Sequence, residues 1–340
     1  MVGIVSYGFY VPKYRIKTEE IAKVWGKNPD DVKKSLMIIE KAVAGVDEDS
    51  LTMAFESASN ALSDVEIDRS KIKVVLFGSE THPYAVNPAS TILAEFLGIE
   101  KNYLAYDTEF ACKAATGALI SAQALIKSGY SDYALITGSD KGMGKAHDVL
   151  EYTAASGSVS FLLGKDDLIL EIIDFETFSS DTPDFWRREG IRYPSHGGRF
   201  SGKPSYFYHI GESSKSLFKK TGYSPKDFSF AVFHMPNGKF PVQVAKSLGF
   251  SESQINDSLV VNKLGNSYTA SALMGLMSVL EKAKEGDLIF LCSYGSGAGS
   301  DSFVLKVTKN LEKRRKEFLK NINNKQYIDY PTYLKFMEMI

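Results

Sequence analysis

Only two cysteines, Cys112 and Cys292, occur in 340 residues. That scarcity excludes a disulfide framework and a thiolate zinc site, and it suits a reducing compartment. Net charge is also nearly absent, since 40 Lys and Arg face 41 Asp and Glu. A general binder of nucleic-acid backbones is therefore excluded, because such proteins rely on an excess of cations. No stretch reaches the ~18 uninterrupted apolar residues of a spanning helix. The N-terminal "MVGIVSYGFYVPKY" lacks the charged start of a leader and reads as a first strand. Among the five histidines, His82, His147, His196 and His209 have no metal-ligand spacing and read as surface or structural groups, with His196 near a substrate entrance. A soluble cytoplasmic protein is expected.

What the chain does have is alternation. "KVVLFGSE", "DYALITGSD", "SVSFLLG", "FSFAVFHM", "DLIFLCSYG" and "SFVLKV" are short apolar runs that mostly stop at Gly, Ser or Asp, as strands buried on both faces do. Between them, "LTMAFESASNALSD", "NPASTILAEFLG", "VQVAKSLG" and "YTASALMGLMSVLEKAKEG" carry helical spacing and closing glycines. The result is an α/β protein with helices covering its sheets. Its length is more than one compact unit usually holds, so two units or a duplicated one are expected.

A search for repeats supports duplication. "VVLFGSETHP" ends a strand at Glu80, and "FAVFHMPNG" ends a similar strand at His234. Cys112 opens a small-residue helix, and Asn266 opens another in "NSYTASALMG". Both pairs are 32 residues apart. Two homologous halves follow, roughly 1–165 and 166–310, each placing one polar residue after a strand and one at a helix start. A pseudo-twofold axis would bring Glu80, Cys112, His234 and Asn266 to one cleft. Residues 311–340 begin strongly basic and end apolar, and read as a solvated helix followed by a docked terminal segment.

A lone cysteine among alanines is ordinarily an inert core residue. Here the helix start would stabilise a thiolate, and the second half supplies a histidine to face it. Glu80, in a partly apolar pocket, would have its pKa raised toward the range useful to a general base. Cys, Glu and His together suit acyl transfer followed by carbon–carbon bond formation. "SYGSGAGS" (Ser293–Ser300) offers unobstructed N–H groups for an oxyanion hole.

At these residues the chain resembles the hydroxymethylglutaryl-CoA synthase family, in its shorter archaeal form. The resemblance runs in order through "GSETHP", "FACKAATG", "DFWRREGIRYPSHGG", "VFHMPNGK", "NKLGNSYTAS", "SYGSGAG" and "IDYPTYLKFM". It implies the thiolase fold, two similar halves stacked as five α/β/α/β/α layers. It also implies that Cys112 accepts acetyl, Glu80 generates the acetyl enolate and His234 polarises the acetoacetyl carbonyl. Asn266 would hold the acetoacetyl group and Ser296 the substrate through its backbone, while Thr153, Arg199, Ser201 and Lys239 match substrate or CoA positions. Substrates would be CoA thioesters, with no metal or redox cofactor. A homodimer is implied, as is a complex with an acetoacetyl-CoA thiolase through a small zinc-ribbon, OB-fold acyl-CoA-binding protein. The chain departs from the family where a Tyr follows the Asp matching Asp140, because "SDKGMGK" has none before Tyr152.

Two rival readings use the same residues. A type III β-ketoacyl-carrier-protein synthase also employs Cys, His and Asn, but decarboxylative condensation needs no carboxylate base such as Glu80. A silent scaffold of a thiolase complex would have no reason to retain all four polar groups. "GSDKGMGK" lacks the spacing of a phosphate loop, and the aromatics of "PSYFYHI" suit packing. Cys292 invites a thiolase reading, yet Ser293 occupies the relevant step, and period-2 alternation turns Cys292 to the other face of its strand, into the core.

Overall fold

The computed structural model describes residues 1–340. Nine strands form one mixed sheet, in the order Phe230–Phe233, Leu288–Gly295, Gly299–Val307, Leu170–Ser179, Gly3–Tyr10, Ser156–Gly164, Tyr133–Lys141, Ile72–Gly78 and Leu104–Thr108. From the centre outward the two arms repeat one pattern, two antiparallel pairings and then a parallel one. The arms join where Gly3 and Ile4 pair with Glu171 and Leu170. Only glycine permits that approach, since a Cβ on Gly3 would lie 2.1 Å from the Leu170 carbonyl oxygen. The repeat is incomplete at one edge. Leu104–Thr108 precedes Cys112, but the segment before Asn266 is a helical turn, Val261–Leu264.

Helices fill the space on either side. The largest core, 44 residues, takes one face of both Ala114–Lys127 and Ser271–Leu280, and the latter is buried along its whole length. A second core of 14 residues holds Ser50–Ser63 and Ala89–Phe96 against one arm. A third, also of 14, holds Tyr208–Thr221 and Lys239–Leu248 against the other. The five layers of the thiolase fold are present. Alternation sorts the side chains as expected on Leu288–Gly295: the Ser293 hydroxyl meets Thr116 of the middle layer at 2.7 Å, whereas Cys292 faces Ser213 and Ser214 in the outer one.

A further sign of duplication escaped the sequence reading. Ser57 of an outer helix sits 2.7 Å from Ser158 and 2.7 Å from Ser160, both on the sheet below. In the other half Ser213 lies 3.0 Å from Ser300 and 2.8 Å from Ser302. Each outer helix thus approaches its sheet closely enough that hydroxyls, not branched carbons, fill the gap.

The basic stretch after residue 310 differs from the expected solvated helix. Leu311, Phe318 and Ile322 enter the largest core. Arg315 donates to the carbonyls of Leu280 and Ala283, at the end of the buried helix, and Lys316 donates to Asn60 near the end of Ser50–Ser63. Cations at helix C-termini satisfy orphan carbonyls and complement the dipole. The run is a strap across two helix ends. Beyond it, Tyr330–Phe336 docks on Ile16, Ile21 and Val43 in a separate apolar cluster, as the docked-terminus expectation had it. No helix is long and apolar enough to cross a membrane.

Candidate active site

Glu80 follows the strand Ile72–Gly78, and Cys112 lies two residues before the helix Ala114–Lys127. The strand tip rests directly on the first helical turn. A Cβ on Gly78 would lie 2.7 Å from the Ala115 nitrogen, and one on Gly138 2.7 Å from the Ala115 Cβ. The small residues around Cys112 therefore serve close packing, which brings the Glu80 carboxyl to the thiol. Backbone strain marks the same place, because Ala111 has φ 44° and Tyr268 φ 48°. Left-handed non-glycine residues cost on the order of 1–3 kcal/mol each and concentrate at functional sites.

Burial governs the electrostatics. It pushes Glu80 up to about 8, helped by the neighbouring Asp140 charge and opposed by a hydrogen bond from the Cys112 thiol. Glu80 Oε1 is buried without a partner. The Cys112 thiol is pushed well above its ordinary range, first by burial and then by the Glu80 charge. This corrects the expectation of a thiolate held by the helix start: Cys112 is 5% exposed and rests as a thiol beside a carboxyl that can take its proton once ionised. The dipole of a helix beginning two residues later does not overcome a desolvated site with two acidic neighbours.

Asp140, named in the sequence only as an alignment landmark, organises the site. Its Oδ1 accepts from Ser79 Oγ at 2.8 Å, Glu80 N at 2.7 Å, Thr81 N at 3.0 Å and Thr81 Oγ1 at 2.8 Å. Its Oδ2 accepts from Thr269 N, in the other half, at 2.9 Å. A buried acid ending an apolar strand at "TGSD" was the available signal. Arg187 fixes the outer side of the Glu80 loop by donating to the Glu80 carbonyl at 2.6 Å.

The second half contributes differently. Asn266 N donates to the Thr153 carbonyl at 2.7 Å and the Asn266 carbonyl accepts from Ala155 N at 2.9 Å, a bridge that stitches the halves together. Asn266 Oδ1 accepts from Tyr268 N at 3.0 Å. The Tyr268 ring packs with Cys112 and Ala154, so the aromatic beside the thiol comes from the second half and not from the segment after Asp140. His234 lies fully buried, its N–H on the Cys292 carbonyl at 2.8 Å and its carbonyl accepting from Tyr206 OH at 2.6 Å. Burial pulls its imidazole down to about 3, so it is neutral at pH 7, and its Nδ1 has no partner. Tyr294, packed 6.0 Å from the His234 ring, donates to buried Asp184 at 3.0 Å, and Ser205 donates to the same carboxylate at 2.9 Å. Neither Asp184 nor Tyr294 was singled out in the sequence.

The remaining candidates lie at varied distances. Ser296 sits in the turn between the strands Leu288–Gly295 and Gly299–Val307, two residues after Tyr294. A Cβ on Gly295 would lie 2.6 Å from the Phe110 carbonyl oxygen, so the glycine hairpin abuts the approach to Cys112. Lys239 opens the helix five residues after His234, with its N–H on Asn237 Oδ1 at 2.9 Å. Arg199 is exposed without an ion-pair partner, and Ser201 begins the π-helical segment Ser201–Phe207. None of these three lines the cleft that Glu80, Arg187 and Tyr268 border. The other histidines are structural as read: His209 is buried on Thr182 Oγ1 at 2.9 Å, His147 stacks on Trp25, and His196 pairs with Asp148 at 3.2 Å. His82 faces Asp107 at 3.5 Å.

Comparison with known proteins agrees with this geometry. A profile described as 3-Oxoacyl-[acyl-carrier-protein (ACP)] synthase III C terminal matches residues 218–307, the region of His234 and Asn266. A crystal structure of an HMG-CoA synthase complexed with CoA superposes with TM-score 0.88 at 25% identity, covering 99% of this chain and 90% of that one. MvaS in complex with 3-hydroxy-3-methylglutaryl coenzyme A gives TM-score 0.90 at 23% identity, covering 99% and 91%. Fold and site together define an acyl-CoA condensing enzyme of the thiolase superfamily, an acyltransferase. The hydroxymethylglutaryl-CoA synthase of Methanosarcina barkeri is 49% identical over 98% of this chain and 97% of its own length. That of Methanocaldococcus jannaschii is 47% identical over 100% and 99%. The chain belongs to the hydroxymethylglutaryl-CoA synthase family.

Proposed function

We propose that this chain condenses acetyl-CoA with acetoacetyl-CoA and water to 3-hydroxy-3-methylglutaryl-CoA and CoA, in the mevalonate route to isoprenoids. The observation that carries the reading is the buried Glu80 carboxyl set against the Cys112 thiol. Cys112 Sγ attacks the acetyl thioester as its proton passes to Glu80 and on to the departing CoA thiol. The Glu80 carboxylate then removes a proton from the acetyl methyl group, and the enolate attacks the ketone carbon of acetoacetyl-CoA. A neutral imidazole can still donate a hydrogen bond, so His234 polarises the ketone oxygen and passes it the proton of the tertiary alcohol, taking in return the one that Glu80 removed from the methyl group. Water cleaves the Cys112 thioester. Asn266 and Thr153 hold the acetoacetyl group, and the Ser296 backbone holds the thioester. Arg199, Ser201 and Lys239 meet CoA at the mouth. These steps balance without a metal or redox cofactor.

Glu80 also favours this reading over a type III β-ketoacyl synthase, whose carbanion arises by decarboxylation. The profile match to that family covers the half containing His234 and Asn266, which both chemistries use, and not the half containing Glu80. A homodimer, and the assembly with a thiolase and a zinc-ribbon, OB-fold acyl-CoA-binding protein, belong to the proposal on family resemblance. So does a cytoplasmic location, which two free buried cysteines suit. Labelled acetyl-CoA, digestion and mass analysis test the core of it. Label is expected on the Cys112 peptide, and its absence there removes the nucleophile. Glu80→Ala should still acetylate, more slowly because the Cys112 thiol loses its proton acceptor, and lose about 10²-fold or more in condensation, whereas turnover with a malonyl carrier protein in place of acetyl-CoA would favour the rival.

A further inference from the structure

Lys41 is a buried cation that the reaction does not use. It is 2% exposed, on the short strand Glu40–Val43. Its ammonium donates to the Ala154 carbonyl at 2.8 Å and to the Tyr333 hydroxyl at 3.2 Å, and it lies over the Tyr333 ring at 4.7 Å. Burial lowers it to about 7, with the Glu151 carboxylate opposing. A charge kept at that cost is weak support for stability, since an apolar side chain of similar volume usually serves as well. Its location is therefore the informative point.

Ala154 is the middle residue of the Thr153–Ala155 segment that brackets Asn266 from both sides. It also packs against Cys112 and Tyr268. A Cβ on Gly265 would lie 2.8 Å from the Lys41 Cβ, 2.7 Å from the Ala155 Cβ and 2.8 Å from the Thr153 carbonyl oxygen. The Lys41 stem thus presses on the turn leading into Asn266 while its head holds Ala154 in the facing segment. The support extends outward. Glu151 accepts from Tyr330 OH at 2.6 Å, Trp25 Nε1 at 2.9 Å and the His147 N–H at 2.8 Å. The helix Tyr330–Phe336 and the N-terminal segment therefore converge on the same stretch of chain.

We propose that Lys41, backed by Tyr333, is a positioning residue that sets the Ala154–Asn266 bridge and, through it, the acetoacetyl side of the site. The proposal rests on the reading of Asn266 given above. Lys41 touches neither Glu80 nor the reacting sulfur, so its loss separates the two half-reactions. In Lys41→Met, acetylation of Cys112 by acetyl-CoA is expected within about twofold of the parent. Turnover with acetoacetyl-CoA should fall about 10²-fold in kcat/KM, the scale of a site displaced by an ångström, with KM for acetoacetyl-CoA raised and that for acetyl-CoA unchanged. Amide exchange at Ala155 and Asn266 should quicken at least about tenfold as the bridge loosens. Tyr333→Phe keeps the Ala154 bond and loses one hydrogen bond, worth ~2–10-fold in the same direction; it serves if Lys41→Met does not fold. Equal losses in both half-reactions, or unchanged exchange at Ala155 and Asn266, overturn the proposal. A parent protein inactive on both thioesters would overturn the functional reading instead, and exchange would still decide the clamp.

Discussion

Replacing Asp140 with Asn keeps the shape of the side chain and removes its charge, and the structure says what should follow. Asn can turn its amide oxygen toward Ser79, Glu80 and Thr81, which leaves its NH2 facing the Thr269 N–H at the position now 2.9 Å away. A buried donor left facing a donor costs ~1–3 kcal/mol. The other four bonds weaken from charge-assisted to neutral, by about 1 kcal/mol each. Relief of carboxylate desolvation offsets part of this, several kcal/mol for a buried ion. A net loss of about 2–4 kcal/mol is expected. At roughly 2.1 cal/mol/K of unfolding entropy per residue, that lowers Tm by about 3–6 °C. Chemistry should respond with its own signature. The Asp140 charge is the largest influence after burial in raising Glu80 to about 8, so removing it moves Glu80 down toward 4.5. The acid limb of the condensation rate, where Glu80 gains a proton, must then shift to lower pH, at ~1.4 kcal/mol per tenfold change in proton affinity. The plateau should drop as the Glu80 loop loses its tether. The assay is a pH profile of CoA release with a thermal melt on the same sample. A folded variant whose acid limb stays where it was would refute the view that Asp140 sets the basicity of Glu80.

Two further outcomes can be checked. Folded Glu80 keeps its proton up to about 8 and unfolded Glu80 only to about 4.5, so its contribution to stability is complete below about 4.5 and is lost as pH rises through 8. Denaturant titrations should show Glu80→Gln losing that slope relative to the parent, by up to about 5 kcal/mol across the window, and parallel curves would refute it. Gly78→Ala forces a Cβ within 2.7 Å of backbone nitrogen in the Cys112 helix. It should cost ~1–3 kcal/mol as an overpacked contact and slow Cys112 acetylation in the folded fraction, so unimpaired labelling would show that the strand tip does not position the thiol.

Much of this was legible in sequence for a physical reason. Strands buried on both faces read as unbroken apolar runs, and period-2 alternation alone turned Cys292 to the face opposite Ser293. The equal spacing of Glu80–Cys112 and His234–Asn266 reflects equivalent places in two copies of one unit. What stayed hidden depends on neighbours distant in sequence. Whether Cys112 is thiol or thiolate turns on desolvation and on the Glu80 carboxyl. The partners of Arg315 are carbonyls of a helix more than thirty residues upstream, so local charge suggested solvent where the fold supplies helix ends. The missing strand before Asn266 was equally invisible, because the short apolar "SLVV" suits a strand or a helical turn.

The stitched halves carry a consequence for descent and for engineering. Two identical copies of either half, arranged about the same axis, would hold two equal sites with the same pair of polar residues in each. One would have glutamate and cysteine without histidine, the other histidine and asparagine without a nucleophile. Joining two copies in one chain removed the requirement that equivalent positions stay alike, so 80 and 234, or 112 and 266, could become different residues. The gain open to such a chain is a division of labour that a symmetric ancestor could not have, and the loss is interchangeability. A chimera that swaps one half for a second copy of the other should fold along the same pattern and perform neither step in full.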